Sequence, residues 1–509
     1  MLRKFIALTS LWLLFALTVQ AQFTGVIKGQ VTDQTGARLP GAALKLSGAQ
    51  LQGQKTAVAD AEGNFIFLGL APGSYEIEVN QSSFQPGKQE NIQLRAGQTL
   101  TFDLRLTVGG VNQAVNIAAR GGGESISIID TSNPEINFNV SGEFLNKLPM
   151  SSRQNWESVW FLVPGAVTIG TNGPDGVNFD PAINGASSRS NAYRFDGFEI
   201  GNSFTNQGWT TQFSTEAIQD VQIKTSGSDA STPLGQGGFI NVITKSGTNK
   251  YSGSAAFFMQ PRKFNWTNVP GGTAADQSLY QPDLSFGGPI KKDRLWFFTT
   301  YRRVYLNQGV PRSATVLQTF RDNGFEVPNY DLQERNNRFT GKLTYKLNDK
   351  HTFAFNYLND SGATLNSDSR DLGTQETTID IENGGPTYQV NWTSTLTSRL
   401  LVTAQFGYRK IISDIEMNGG ENPAVTRFSA TVLSGGNLAG ATGATILQYG
   451  NRAFGFATGS KGVRDHYDFT ADLSYAKSGW LGQHTFQTGI QVKPRTRIDS
   501  QNTHPSSGL

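Results

Sequence analysis

"FTGKLTYKL", residues 339–347, puts Phe339, Gly341, Leu343, Tyr345 and Leu347 on one parity and Thr340, Lys342, Thr344 and Lys346 on the other. Successive side chains of a β-strand point to opposite faces, so this stretch is a strand with one apolar and one polar face. The pattern recurs. Phe353, Phe355 and Tyr357 alternate with Thr352, Ala354 and Asn356. Leu400, Val402, Ala404, Phe406 and Tyr408 form another apolar row, as do Tyr467, Phe469, Ala471, Leu473 and Tyr475, then Phe486, Thr488, Ile490 and Val492. Such strands, with aromatics near their ends, suit a wall that faces lipid on one side and a polar interior on the other. The strand–long loop–strand rhythm disfavours an ordinary soluble sandwich. Stretches 361–385 and 415–460, rich in Gly, Asn and Ser, read as long outer loops, and Lys291–Asp293 reads as a short turn inside 284–303.

The bulk properties agree. The chain has 509 residues, enough for several domains, with 16% charged residues and a formal net charge of +3. That balance carries no electrostatic footprint for nucleic acid. There is no cysteine, which excludes disulfides, thiolate metal sites and cysteine nucleophiles. The start, "MLRKFIALTSLWLLFALTVQAQ", has basic Arg3 and Lys4, an apolar stretch from Phe5 to Val19, and Val19-Gln20-Ala21 as a small-residue cleavage site. It reads as a secretory signal peptide over 1–21, whose removal leaves a net charge of about +1. No later run of 18 apolar residues offers a membrane helix, so an exported chain that spans a membrane must do so with strands.

Between the leader and the amphipathic strands lie three further segments. Residues 22–108 alternate on a period of two, with turns at Asp33–Gly36, Pro40-Gly41, Asp60–Gly63 and Pro72-Gly73, and with Phe65, Phe67, Tyr75, Ile77 and Val79 expected inside. Short strands at such spacing predict a small antiparallel β-sandwich. Residues 109–130 are a glycine-bracketed linker around an extended piece, Gln113–Ala119, suited to adding a strand to a partner's sheet edge. In residues 131–249, Ser151 or Ser152 is a candidate N-cap for a helix carrying Trp156, Val159, Trp160 and Val163, which Pro164-Gly165 stops. Asn184-Gly185 and Asp196-Gly197 follow as turns before two more strands. "NVITKSGTNKYSGS" (241–254) then leads from the last of these into the amphipathic series, with Lys245–Lys250 as the seam.

These segments resemble known families in order. Gly29-x-Val31-x-Asp33, Gly36, Leu39-Pro40-Gly41-Ala42, Asp60-x-x-Gly63-x-Phe65-x-Phe67, Leu70, Gly73 and Tyr75 are similar to the carboxypeptidase regulatory-like domain, an immunoglobulin- or transthyretin-like module with a carbohydrate-binding-like fold. The segment contains neither His nor Cys, so peptidase chemistry is not implied. Asp33, Asp60 and Glu62 read as turn formers.

The 131–249 segment carries four ordered blocks. They are Leu148-Pro149 with Arg153, Asn155 and Leu162-x-Pro164-Gly165; Asn184-Gly185 with Tyr193 and Asp196-Gly197; Ala217-Ile218-x-x-Val221; and Gly235-x-x-Gly238 with Asn241-Val242-x-Thr244 through Asn249. Together these blocks resemble the plug of TonB-dependent outer-membrane transporters of the Oar-like group.

The resemblance implies a mainly β chain. Its parts would be a signal peptide, a sandwich (22–108) in the periplasm, a linker (109–130), a small α+β plug (131–249), and the N-terminal portion of an antiparallel transmembrane β-barrel in the bacterial outer membrane (250–509). It implies a transporter or receptor that takes up or exports a large substrate, with the inner-membrane TonB complex as partner and outer-membrane lipid around the wall. The substrate class (peptide, glycan or metal chelate) stays open. Gln113, Ala114, Val115, Asn116, Ile117 and Ala118 are the candidate TonB box, although they depart from the usual Glu-Thr-Val-like sequence. Asn184, Arg189, Tyr193, Arg194 and Asp196 are candidates for plug loops or plug–wall contacts. The alternative is a surface adhesion protein whose sandwich binds glycan or protein and whose barrel anchors it.

Catalytic chemistry is not expected, nor a cofactor. His351, His466, His484 and His504 show no metal-ligand spacing, and residues 171–181 lack the acidic spacing of a calcium loop. "GQGGFINVITKSG" places its glycines before a strand and is no phosphate loop. About nine strands are expected after Tyr251, whereas plugged barrels have about 22 and need roughly 500 residues. A partial chain is therefore expected.

Overall fold

The computed structural model describes residues 24–109 except 52, then 115–116, 136–148, 156–171, 178–187, 190–201, 211–226, 237–266 and 276–310, isolated positions between 312 and 321, and 329–367, 375, 378–417, 459–477, 484–493 and 496–503. The expected leader and the candidate N-caps Ser151 and Ser152 lie outside these residues.

The first unit pairs two small sheets. Strands β1 (Gly25–Asp33), β4 (Asn64–Leu70) and β7 (Thr99–Leu106) form one, in the order β4-β1-β7. The other has β2 (Ala43–Gly48), β3 (Gln54–Val58), β5 (Gly73–Asn80) and β6 (Gly87–Leu94), with β8 (Val115–Asn116) added beside β6. Alternate residues point between the sheets, so Ile27, Val31, Leu44, Leu46, Phe65, Phe67, Tyr75, Ile77 and Val79 form a common apolar core. The turns are built from side chains. The Asp33 carboxylate accepts the backbone N–H of Thr35 and Ala37, each at 2.8 Å, and the Asp60 carboxylate accepts those of Glu62 (3.1 Å) and Asn64 (2.8 Å).

The second, inner domain has a five-stranded mixed sheet and a separate hairpin. The sheet contains β9 (Ile136–Ser141), β12 (Ala192–Phe195), β13 (Phe198–Glu199), β14 (Ile218–Ser226) and β15 (Phe239–Thr244), in the order β13-β12-β15-β14-β9. The hairpin is β10 (Ala166–Thr171) with β11 (Asn178–Ile183). A short helix α1 (Gly142–Lys147) starts at Ser141, whose hydroxyl accepts the Phe144 N–H at 3.2 Å. Trp156, Val159, Trp160 and Val163 are all buried, the first three on a tighter 3-10 helix (Trp156–Leu162) and Val163 just past its end. Trp156 stacks on Phe213 at 5.4 Å between ring centroids. Asn184-Gly185 and Asp196-Gly197 each place two successive residues at positive φ (50° and 79°, 44° and 90°), the geometry of a tight hairpin turn.

The third unit is one continuous antiparallel wall. Its strands are β16 (Ser252–Gln260), β17 (Gln277–Lys291), β18 (Leu295–Gly309), β19 (Asp331–Lys346), β20 (His351–Asn359), β21 (Gly362–Ser367), β22 (Ile379–Gly384), β23 (Pro386–Thr397), β24 (Leu400–Met417), β25 (Gly459–Lys477), β26 (His484–Val492) and β27 (Thr496–Thr503). Three neighbouring pairs of segments are single strands with an interruption. β20 and β21 both pair with β19, β22 and β23 continue in one register along β24, and β26 and β27 continue along β25. Among the described residues the twelve segments thus make nine strands, in line with the count from sequence.

The expectation of one long loop over 361–385 is corrected. Gly362–Ser367 and Ile379–Gly384 extend the strands, and Gly384-Gly385, at φ 99° and 150°, make the bend. Small polar residues read as loop in sequence, yet a strand rising beyond the lipid band needs no apolar face.

Phe257, Leu284, Phe286, Phe353, Phe355, Phe406, Phe469, Leu473 and Phe486 are exposed on the outer face of the wall. The inner parity buries Gln281, Asp283, Thr300, Arg302, Thr340, Asn356, Gln389, Arg409, Asp468 and Ser474. The inner domain lies against this polar face. Among the described residues, no helix is long and apolar enough to cross a membrane.

Candidate functional site: the junction of inner domain and wall

The inner domain meets the wall at three buried polar junctions. At the first, the β12–β13 turn presents Asp196. Its carboxylate accepts the Thr244 N–H at 3.0 Å and the Thr244 hydroxyl, and it pairs with the Lys342 ammonium of β19 at 3.3 Å. The Asp196 carbonyl accepts the side-chain amides of Gln389 (2.6 Å) and Gln405 (2.7 Å), from β23 and β24. Both glutamines also donate to Asn391, which fixes their orientation. Three wall strands thus hold one turn. Close approach matters here: a Cβ on Gly407 of β24 would lie 2.1 Å from the Phe198 ring, so only glycine admits this hairpin.

At the second junction, Asp283 of β17 and Arg302 of β18 form a fully buried pair, with Nε donating at 2.8 Å. Asp283 accepts the Ser214 hydroxyl at 2.8 Å, and Arg302 donates to the Thr215 hydroxyl at 2.9 Å. A buried pair persists when its spare donors and acceptors are also satisfied, and here the inner domain satisfies them. At the third, Asp360 accepts the Gln212 N–H at 3.1 Å and the Gly385 N–H at 3.0 Å, with Arg409 3.7 Å away. Arg409 in turn donates to the Ile200 carbonyl.

The seam reads clearly. β15 pairs with β12 and β14, whereas β16 pairs with β17, so residues 239–244 and 252–260 belong to different sheets. Between them Asn249 binds the β17–β18 turn, donating to Asp293 at 2.7 Å and accepting from Asp293 N and Trp296 Nε1. Gly247 passes over Phe297, where an added Cβ would lie 2.3 Å from a carbonyl oxygen.

The sandwich abuts the same end. Ala96 N–H donates to the Asp220 carboxylate at 2.9 Å, and Asn139 bridges the Ala96 carbonyl and Asp220. Asp220 is fully buried, and desolvation pushes its pKa up to about 6, against the lowering effect of these donors and of Arg95. Leu68 packs with Leu401 and Ala476 of the wall, and Arg399 pairs with Asp60 at 3.2 Å. A cleft of about 1150 Å³ remains beside this contact, lined by Lys55, Lys250, Lys346 and Lys350 with Asp293 and Asp349. Lys55 donates to the Leu68 carbonyl at 2.9 Å, and desolvation, helped by Lys346, lowers its pKa to about 8.

The residues singled out from sequence fall in three places. Asp196 lies at the first junction. Asn184 donates to the Thr225 carbonyl at 2.8 Å, and Tyr193 and Arg194 are buried in the inner domain, Tyr193 edge-on to Trp160. Arg189 lies outside the described residues. Of the linker candidates, Val115 and Asn116 have described backbone and pair in parallel with Gly87 and Lys88 of β6, while Gln113, Ala114, Ile117 and Ala118 lie outside the described residues. Lys342, Gln389, Gln405, Asp283, Arg302, Asp360 and Arg409 escaped the sequence reading. Their one signal was a charge or amide on the polar parity of an amphipathic strand.

Comparison with known proteins places the wall. The outer membrane beta barrel domain family matches residues 243–331 and 318–509, more than half of the chain. The chain belongs to this outer-membrane β-barrel family. The barrel chain also carries a match to the carboxypeptidase regulatory-like domain over residues 26–107. It is 27% identical over 373 residues to the TonB-dependent transporter Oar of Myxococcus xanthus, covering 67% of this chain and 34% of that protein. The barrel chain therefore spans about a third of that relative's length. Among solved structures, the siderophore receptor PirA of Acinetobacter baumannii aligns at 15% identity and TM-score 0.48, over 70% of this chain and 47% of that one. The outer-membrane transporter YddB of Escherichia coli aligns at 16% and 0.49, with the same coverage. The barrel chain is mostly β and resides in the outer membrane.

Proposed function

We propose that this chain works as a TonB-dependent outer-membrane transporter or receptor. In this reading residues 131–249 are the plug, 22–108 a periplasmic module, and 113–118 the segment that pairs with TonB. The observation that carries the reading is the junction itself. A separate domain sits against the polar face of the wall through hydrogen bonds and ion pairs at Asp196, Ser214–Thr215 and Gln212, contacts that water can replace when the domain moves. The relation to Oar supports the TonB coupling. Strand addition is the physical basis of that coupling, because backbone hydrogen bonds supply affinity without a strict sequence. Val115 and Asn116 rest on β6, so pairing with TonB exchanges one sheet edge for another.

The cargo is a peptide, glycan or metal chelate, moved in or out. The test compares wild-type cells with cells lacking residues 111–119, at equal surface levels of the protein, by mass spectrometry of proteins and small molecules in the medium. The expected outcome is a compound whose depletion or appearance requires both this segment and the proton gradient. Unchanged media, with surface adhesion dependent on residues 22–108, would overturn the reading in favour of an adhesion protein.

A further inference from the structure

Outside the three junctions, a fourth contact between inner domain and wall has a different chemistry. Glu199 ends the β12–β13 hairpin, and His466 and Asp468 stand two residues apart on β25, hence on the same inward face. One carboxylate oxygen of Glu199, one of Asp468 and one imidazole nitrogen of His466 all lie within 4.8 Å of one another. A first-row divalent ion binds such nitrogen and oxygen donors at about 2.0–2.2 Å, so small side-chain rotations close this set around an ion and leave positions for water.

The surroundings orient the donors. Gln491 of β26 donates to both oxygens of Asp468, at 3.0 and 2.8 Å, and Phe198 packs against the His466 ring at 5.6 Å between centroids. A donor anchored by a neighbouring amide is the usual support of a metal ligand. Two cations compete for the carboxylates. The buried Arg194 guanidinium acts on both, and the Lys493 ammonium pairs with Glu199. Lys493 is 42% exposed, so its chain can swing into water, whereas Arg194 stays.

We propose that Glu199, His466 and Asp468 form a divalent transition-metal site that staples the inner domain to the wall, with Lys493 as the built-in competitor for the same carboxylates. Two ligands come from one wall strand and the third from the inner domain, so an ion bound here ties the two together. A set of this composition suits Zn2+ or Mn2+ better than Ca2+, which prefers six to eight oxygens.

The test titrates Zn2+ and Mn2+ into the full chain, purified in detergent and stripped of metal, by calorimetry, with trypsin release of the inner domain as a second readout. The proposal expects one equivalent bound, lost in His466→Ala and in Glu199→Gln. It expects binding about 10–100-fold weaker in Gln491→Ala, the cost of removing a supporting hydrogen bond. Lys493→Ala should bind tighter, and metal should slow trypsin release in the parent and in Lys493→Ala but not in His466→Ala or Glu199→Gln. Each variant is checked for the heat-resistant folded band of a barrel. Binding that persists in a folded Glu199→Gln/His466→Ala double variant would assign the ion to the other histidines and overturn the site. No binding by the parent or by Lys493→Ala would leave the cluster as a lysine–carboxylate pair and also overturn it. Neither result bears on the transport reading, which stands on the linker deletion.

Discussion

The sandwich and the wall are made of the same material, strands alternating on a period of two, and they bury opposite halves of it. In the sandwich, Leu44, Leu46, Ile77 and Val79 turn inward, while Lys45 and Glu78 stand outside as an ion pair at 3.8 Å with both side chains 41% exposed. In the wall, Phe353, Phe355 and Phe406 turn outward, and Arg302, Thr340 and Arg409 turn inward. The period states only that two faces differ. The medium on each side decides which face is buried, water around one unit and lipid around the other.

That contrast can be broken most sharply inside the wall. Asp283→Ala strands the Arg302 guanidinium in a buried site, and the barrel should lose about 3–5 kcal/mol, read as a fall in the temperature at which the folded band converts on a gel. A double Asp283→Leu/Arg302→Met variant should recover most of the loss; failure of both to move the transition would mean the interior is wet. The mirror experiment lies in the sandwich. Ile77→Ala opens a cavity in an apolar core and should cost about 2–5 kcal/mol in urea unfolding, through the sandwich transition and not the wall's. On the outer faces the units should part company again. Phe406→Arg puts a charge toward lipid and should cost about 2–4 kcal/mol in refolding into vesicles if the position lies near mid-bilayer.

A pH experiment probes where the sandwich touches the inner domain. Asp220 has its pKa raised to about 6 in the folded chain, above the ordinary carboxylate value of 3.8, so protons favour the folded state that buries it. The advantage is full below about pH 3.8 and is lost as pH rises through about 6. Protection of the Ala96 amide in hydrogen exchange, corrected for intrinsic rate, should fall severalfold from pH 5 to pH 7.5, and Asp220→Asn should flatten that dependence. The smallest effect closes the comparison: Lys45→Met, on the watered face of the sandwich, should stay within about 0.5 kcal/mol of the parent in urea.

The strands were legible because alternation is a local property, and nine crossings could be counted from it. Gly362–Ser367 was not legible as strand, since a polar, small-residue extension has lost the face contrast that identifies it. The junctions were legible on one side only. Asp196 stood out through its Asp-Gly turn, but Lys342, Gln389 and Gln405 lie 146, 193 and 209 residues away in sequence, and pairing at that range depends on how the wall curves around the inner domain. His466 and Asp468 carried a weak signal, two donors on one strand face, which acquires meaning once Glu199 is brought opposite.

The two joints of the inner end also differ in how they should answer to physical conditions. Leu68 against Leu401 and Ala476 is an apolar contact, whose strength fades on cooling because its driving force near room temperature is the entropy of water. Asp196 with Lys342, and Ser214 and Thr215 with the Asp283–Arg302 pair, are polar contacts closed off from solvent, with little dependence of that kind and little screening by salt. Chilling a suspension should therefore weaken the apolar part of the sandwich's joint and leave Asp60–Arg399 and Ala96–Asp220 to hold it, while the inner domain stays seated, so temperature acts unequally on two joints that a pulling force would load together.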